Sequence, residues 1–167
     1  MKFYAHTDDD GGKWQPHATH LQNVAELAGR FGASCGLDDA AKSAGLLHDL
    51  GKYRKEFQEY LCHSRDAGTE THHAIYGAAL AFRQAEQDHP HLLPAAFAVA
   101  GHHAGLPDVT DLRQRTWRER GIGPASACRG WQKCWNRNSA NCGSIHLPRF
   151  SLPSLTKTNS HWSSPRG

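Results

Sequence analysis

The chain has no apolar run long enough to cross a membrane as a helix. Its longest candidate, "LLPAAFAVAG", falls far short of the ~20 residues that a spanning helix needs. The start, "MKFYAHTDDDGG", offers no apolar segment to serve as a secretion signal. Cysteines are few, five in 167 residues, and form no paired framework, which fits a reducing compartment. A cytoplasmic location is therefore expected. Strand signals are nearly absent, and no Ser or Cys stands in an arrangement for nucleophilic catalysis. Hydrophobic residues make up 38% and mean hydropathy is -0.66, both low. The length still allows one domain with a real core and is short for two.

Acidic residues are also missing from the last third. Residues 1–112 hold nine Lys/Arg against fifteen Asp/Glu, a balance of −6, whereas residues 113–167 hold ten Lys/Arg against Glu119 alone, a balance of +9. Eleven of the thirteen histidines lie in the acidic part. Such a split separates two segments under different constraints.

In the acidic part the pattern is helical. His20, Val24, Leu27 and Phe31 recur at four, seven and eleven residues, one stripe of a helix over residues 16–31 with Pro16 at its first position. A second helix is expected from Asp38 or Asp39 to Gly51, with Ala40, Ala44 and Leu47 as its buried face. A short third covers roughly 53–61, with Phe57 and Leu61 paired. A fourth, capped by Thr71, places His73, Gly77 and Leu80 on one face, and a fifth runs through "AAFAVAGHH". The expected class is all-α, a bundle of about five helices over residues 1–120. Residues 121–167, rich in Ser, Pro, Gly and Arg with isolated Trp, show no sustained period and are expected to be an irregular basic tail.

Four of these helices deliver metal-competent side chains at inner faces or ends: His20; His48 with Asp49; His73; His102 with His103. Imidazoles and a carboxylate converging inside a helical bundle are what a transition-metal site needs. They also explain how "GLLHDLGK" can end a core segment in polar residues, because coordination offsets the cost of burying Asp49. A lone His on an apolar stripe is more often a hydrogen-bonded core residue; six such residues on four elements are harder to assign to packing alone. His6, His17, His63, His89 and His91 are expected at the surface, with a supporting role beside the metal ligands left open for His6, and His72 is expected as the outward neighbour of His73.

The blocks "AHT", "HATHLQNVAELA", "AGLLHDLGKYRKEFQEYL", "HAIYGAALAF" and "VAGHHAGLPD" occur in the order found in the CRISPR-associated HD nuclease. Over about residues 3–118 the chain resembles that family, the HD-superfamily endonuclease domain of the type I CRISPR interference nuclease–helicase. The resemblance implies a first metal on His20, His48 and Asp49, with Asp49 bridging to a second metal held by His73, His102 and His103. It implies a catalytic role for Asp49 and for Lys52, the latter near the scissile phosphate. It further implies cleavage of single-stranded DNA with divalent transition metals, Mn, Co, Ni or Fe ahead of Mg as the alternative. The partners implied are a separate helicase polypeptide and an RNA-guided surveillance complex, and a His-rich donor set suits such metals.

The resemblance also implies one more aspartate, on a later helix, and no Asp follows Asp111. Weak or no nuclease activity is the corresponding expectation, with residues after about Arg120 read as out-of-frame sequence or a disordered linker. Cys128, Cys134, Cys142 and His146 lack the short spacing of a zinc knuckle. Two rival functions stay open at this point: an HD phosphohydrolase acting on nucleotides, and a non-catalytic metal- or partner-binding module.

Overall fold

The computed structural model describes residues 2–7, 14–64, 66–68 and 71–118. The tail expected over 121–167, with its cysteines and Trp131 and Trp135, lies outside the described residues. Among the described residues two short strands, β1 (Tyr4–Thr7) and β2 (Trp14–Pro16), precede six α-helices: α1 (His17–Ala33), α2 (Asp38–Leu47), α3 (Lys55–Leu61), α4 (Ala74–Gln87), α5 (Leu93–Gly101) and α6 (Val109–Arg118). Single 3-10 turns at Leu50–Tyr53 and Pro90–Leu92 lead into α3 and α5. The all-α expectation holds, with a two-stranded antiparallel ribbon as its one β feature among the described residues. None of the described helices is long and apolar enough to cross a membrane.

The ribbon forms where strand signals are nearly absent from the sequence. Tyr4 pairs with Pro16 and Thr7 with Trp14, and the Tyr4 and Trp14 rings meet edge-on at 4.9 Å, a stabilising cross-strand pair. Pro16 accordingly ends a strand and sits at the cap of α1 instead of inside it. A sixth helix, α6, also went unforeseen. The Asp108 carboxylate accepts the Asp111 N–H at 2.8 Å, capping the first turn, and Leu112 seals against the core with no exposed surface.

The α1 stripe is rotated from its expected position. His17, Leu21, Ala25, Gly29 and Gly32 are the buried residues, while Leu27 and Phe31 are 53% and 72% exposed. The face against α2 is chosen by small size rather than apolar bulk, so the two backbones approach closely. His20 sits beside this face, half-buried, and its ring reaches the end of α2. On α2 the buried residues are Ser43, Gly45 and Leu47, with Ala40 and Ala44 only partly covered, another correction.

The core is built around Leu21, Leu47, Leu50, Phe82, Val99 and Leu112. Two glycines bring α4 against the segment after α2. A Cβ at Gly77 would overlap the Leu47 carbonyl oxygen, and one at Gly51 would overlap the main chain of His73. Only glycine allows these approaches. α4 begins at Ala74, so His73 is its capping residue; Thr71, expected to be the cap, instead donates to the Gly68 carbonyl at 2.7 Å.

Candidate metal centre

Helix ends make the site. His48 caps the C-terminus of α2, Asp49 opens the turn beyond it, His73 caps the N-terminus of α4, and His102 caps the C-terminus of α5 with His103 next. A helix C-terminus leaves carbonyls without partners. His48 Nδ1 donates to the Gly45 carbonyl at 2.8 Å and His102 Nδ1 donates to the Val99 carbonyl at 2.7 Å, each three residues back. A carbonyl oxygen can only accept, so Nδ1 carries the proton in both rings. In its neutral form each imidazole turns an unprotonated Nε2 toward Asp49, and only the protonated ring can donate from that nitrogen to the carboxylate.

The structure gathers the other six residues singled out in the sequence around the buried Asp49 carboxylate, and five of them approach one or other of its oxygens. Oδ2 of Asp49 lies 3.2 Å from His20 Nε2, 3.2 Å from His48 Nε2 and 2.8 Å from Lys52 Nζ. Oδ1 lies 3.1 Å from His73 Nε2 and 3.6 Å from His102 Nε2. The two nitrogens nearest Oδ2, those of His20 and His48, are 3.2 Å apart. On the other side His73 Nε2 and His103 Nε2 are 2.9 Å apart. Ligand atoms lie close enough to share one ion in Asp49 with His73, His102 and His103, and in Asp49 with His6 and His20; those of His20, His48 and Asp49 are likewise 3.2 Å from one another.

These donors fit a cation. Nε2 of His48 and Nε2 of His102 present lone pairs to an ionised carboxylate that itself only accepts, an arrangement that repels until a proton or metal stands between them. The protonation states follow the same logic. Burial alone would raise the Asp49 carboxyl, yet hydrogen bonding from His102, His48, His73 and Lys52 outweighs it and holds Asp49 well below the usual carboxylate range. Burial lowers His102, but its bond to Asp49 prevails and its pKa rises. His20 is lowered, mainly by burial, and His103 by burial and the neighbouring His102.

Lys52 is buried, its side chain 7% exposed, and besides Asp49 it donates to the Ala5 carbonyl at 3.3 Å. Its contacts tie it to Asp49. Gln58 fixes this corner, donating to the Tyr4 carbonyl at 2.9 Å and to the Lys52 carbonyl at 2.7 Å.

One histidine departs from its expected place. His17, expected at the surface, is fully buried: its Nε2 donates to the Asp49 carbonyl at 3.1 Å, its ring packs on Tyr53 at 4.4 Å, and Nδ1 has no hydrogen-bond partner among the described residues. Burial pushes its pKa down to about 3, so the ring is neutral. His6 is exposed as expected, yet its ring meets that of His20 edge-on at 5.0 Å. The block "HATHL" marks both His17 and His20, but only a three-dimensional arrangement distinguishes them. His72 is exposed, and its neighbour His73 is the one that reaches Asp49.

Comparison with known proteins agrees with this architecture. The chain is 38% identical over 94 residues to Ribonuclease Y of Oleidesulfovibrio alaskensis, an alignment covering 56% of this chain and 15% of that protein. It is 36% identical over 94 residues to Ribonuclease Y of Desulfotalea psychrophila, with the same coverage, and 38% identical over 84 residues to that of Campylobacter concisus, covering 50% and 14%. The chain thus spans about 15% of the length of the relatives it matches. The family model described as "HD domain" matches residues 18–124, which runs from α1 past α6 and includes six of the seven histidine and aspartate positions around the centre, His6 being the exception. With His48 and Asp49 at the heart of that match, the chain belongs to the HD domain family.

Proposed function

We propose that the chain is a metal-dependent phosphodiesterase that hydrolyses single-stranded DNA, the nuclease of a type I CRISPR interference system. Two divalent transition-metal ions, a separate helicase polypeptide and an RNA-guided complex belong to the same reading. One observation carries the hydrolytic part: Asp49 turns one oxygen to His20 and His48 and the other to His73 and His102. His20 and His48 with Asp49 would hold one ion, and His73, His102 and His103 with Asp49 the other. Bound there, the ions would supply activated water and neutralise charge gathering on the phosphate.

The chain's own residues do the rest. His48 and His102 keep their protons on Nδ1 and leave Nε2 free to bind. Lys52 keeps Asp49 ionised and fixes its orientation. His103, exposed at the end of α5, marks the side from which a phosphate can arrive. DNA as substrate rests on the ordered blocks from "AHT" to "GHHAGLPD".

A second reading has its own support. The relatives are named ribonucleases, which favours RNA as the strand cut. The test is to incubate the Mn-loaded chain with single-stranded DNA, RNA of the same sequence and nucleoside triphosphates. Cleavage of DNA above RNA upholds the proposal, and preferential cleavage of RNA replaces it with the second reading. Phosphate release from nucleotides alone, or metal binding without turnover on any of them, overturns both.

A further inference from the structure

We infer that His6 is a metal ligand on the Oδ2 side, joining His20, His48 and Asp49; this rests on the metal-centre reading above. Ligand atoms of His6, His20 and Asp49 all lie within 4.8 Å of one another. Two donors bound to one ion at about 2.1 Å each are separated by no more than about twice that length, with small side-chain movements closing the remainder. Among the described residues the His6 ring makes no hydrogen bond, and its edge-on contact with the His20 ring at 5.0 Å sets it beside that ligand.

The backbone is built to hold it there. The ladder between β1 and β2 breaks register between Tyr4 and His6, a bulge that re-aims the side chain after it. Ala5, at the bulge, is 1% exposed and its carbonyl accepts from Lys52, which is itself bound to Asp49. Tyr4 is gripped on both sides by Gln58, whose Oε1 accepts the Tyr4 N–H at 3.0 Å and whose Nε2 donates to the Tyr4 carbonyl. Phe3 accepts the His17 N–H at 2.9 Å. A strand otherwise at the rim of the domain is thereby fixed to the core of the centre, and His6 is the side chain it presents. The Oδ1 side has three imidazoles; with His6 the Oδ2 side has three as well.

The experiment titrates the full chain with Co2+ and follows binding by calorimetry and by the visible d–d absorption, for the wild type, His6→Ala, His20→Ala and His73→Ala. His6 is exposed, so its truncation leaves the core intact. His6→Ala is expected to weaken one Co2+ site by at least about tenfold, the scale on which even indirect partners of a metal act. It should alter the absorption component that His20→Ala removes and leave the component removed by His73→Ala. Two Co2+ sites in His6→Ala with affinities and spectrum within about twofold of wild type would overturn the inference while leaving the metal centre standing. A wild-type chain that binds no Co2+ would instead overturn the metal-centre reading, and this inference with it.

Discussion

The two sides of Asp49 are alike in donors and unlike in charge. Each has a helix-terminal histidine whose Nδ1 is occupied by a carbonyl three residues back, His48 on one side and His102 on the other. The Oδ2 side, however, already contains a cation: Lys52 sits 2.8 Å from that oxygen and is buried with it. The Oδ1 side has imidazoles only, and there a proton is drawn onto His102 in the absence of any other cation. The same ligand geometry therefore faces two electrostatic situations. An incoming ion at Oδ2 must share its oxygen with an ammonium, whereas one at Oδ1 displaces at most a proton. The Oδ1 side should bind divalent ions more tightly and more steeply with pH.

The largest effect should come from removing what both sides share. Asp49→Ala is expected to abolish both Co2+ sites together and all hydrolysis. It also strands Lys52 as a buried charge, costing about 3–5 kcal/mol of stability in urea unfolding. Retention of one tight site in that variant would show that the two sides do not depend on a common carboxylate. Next in size are the one-sided variants. His73→Ala should weaken one site by at least about tenfold, and His48→Ala the other by a similar factor, judged by metal analysis after dialysis. Loss of both ions in either variant would merge the two sides into one.

Lys52→Met should act in opposite directions on stability and loading. Removing one partner of the buried pair leaves Asp49 without its ammonium, a cost of roughly 3–5 kcal/mol in the metal-free chain. Adding Co2+ should recover much of that loss, since an ion can replace the missing charge at Oδ2. A metal-induced rise in melting temperature no greater than that of the wild type would contradict the competition between Lys52 and the ion.

Much of this centre was legible in the sequence because its residues are chemically conspicuous and lie at recognisable helix ends. "LLHD" stops an apolar run at His48, and "VAGHH" ends a helix in two imidazoles. The division of Asp49 between two clusters was available only through the family resemblance, because its physical basis, the Nδ1 bonds to Gly45 and Val99, exists only once both helices have ended. Strands β1 and β2 escaped because four and three residues are too few to show a period of two. The α1 stripe was misread for a different reason. Leu27 and Phe31 give the stronger apolar signal, yet Ala25, Gly29 and Gly32 are what a closely packed α2 can accept. Bulk signals hydrophobicity to a reader of sequence; here closeness of approach decided the face.

His17 provides the smallest and most specific test of the asymmetry. It lies under the Oδ2 side, where its Nε2 donates to the Asp49 carbonyl, and it is neutral with a pKa near 3 because burial penalises its charged form. In the unfolded chain the same ring takes up a proton at its ordinary value of 6.5. The unfolded state therefore binds more protons as pH falls below 6.5, and stability declines until the folded ring also titrates near 3, by up to about 1.4 kcal/mol per pH unit. Asp49, held below the usual carboxylate range, contributes its own loss only once pH falls below the unfolded carboxylate value of 3.8. The interval between roughly pH 6 and 4 thus reports chiefly on buried imidazole. His17→Gln can keep a donor near Asp49 without a titrating ring. Subtracting its stability profile from the wild-type profile should leave a slope that opens below pH 6.5 and closes near 3, and a flat difference would show that His17 is not the group that carries it.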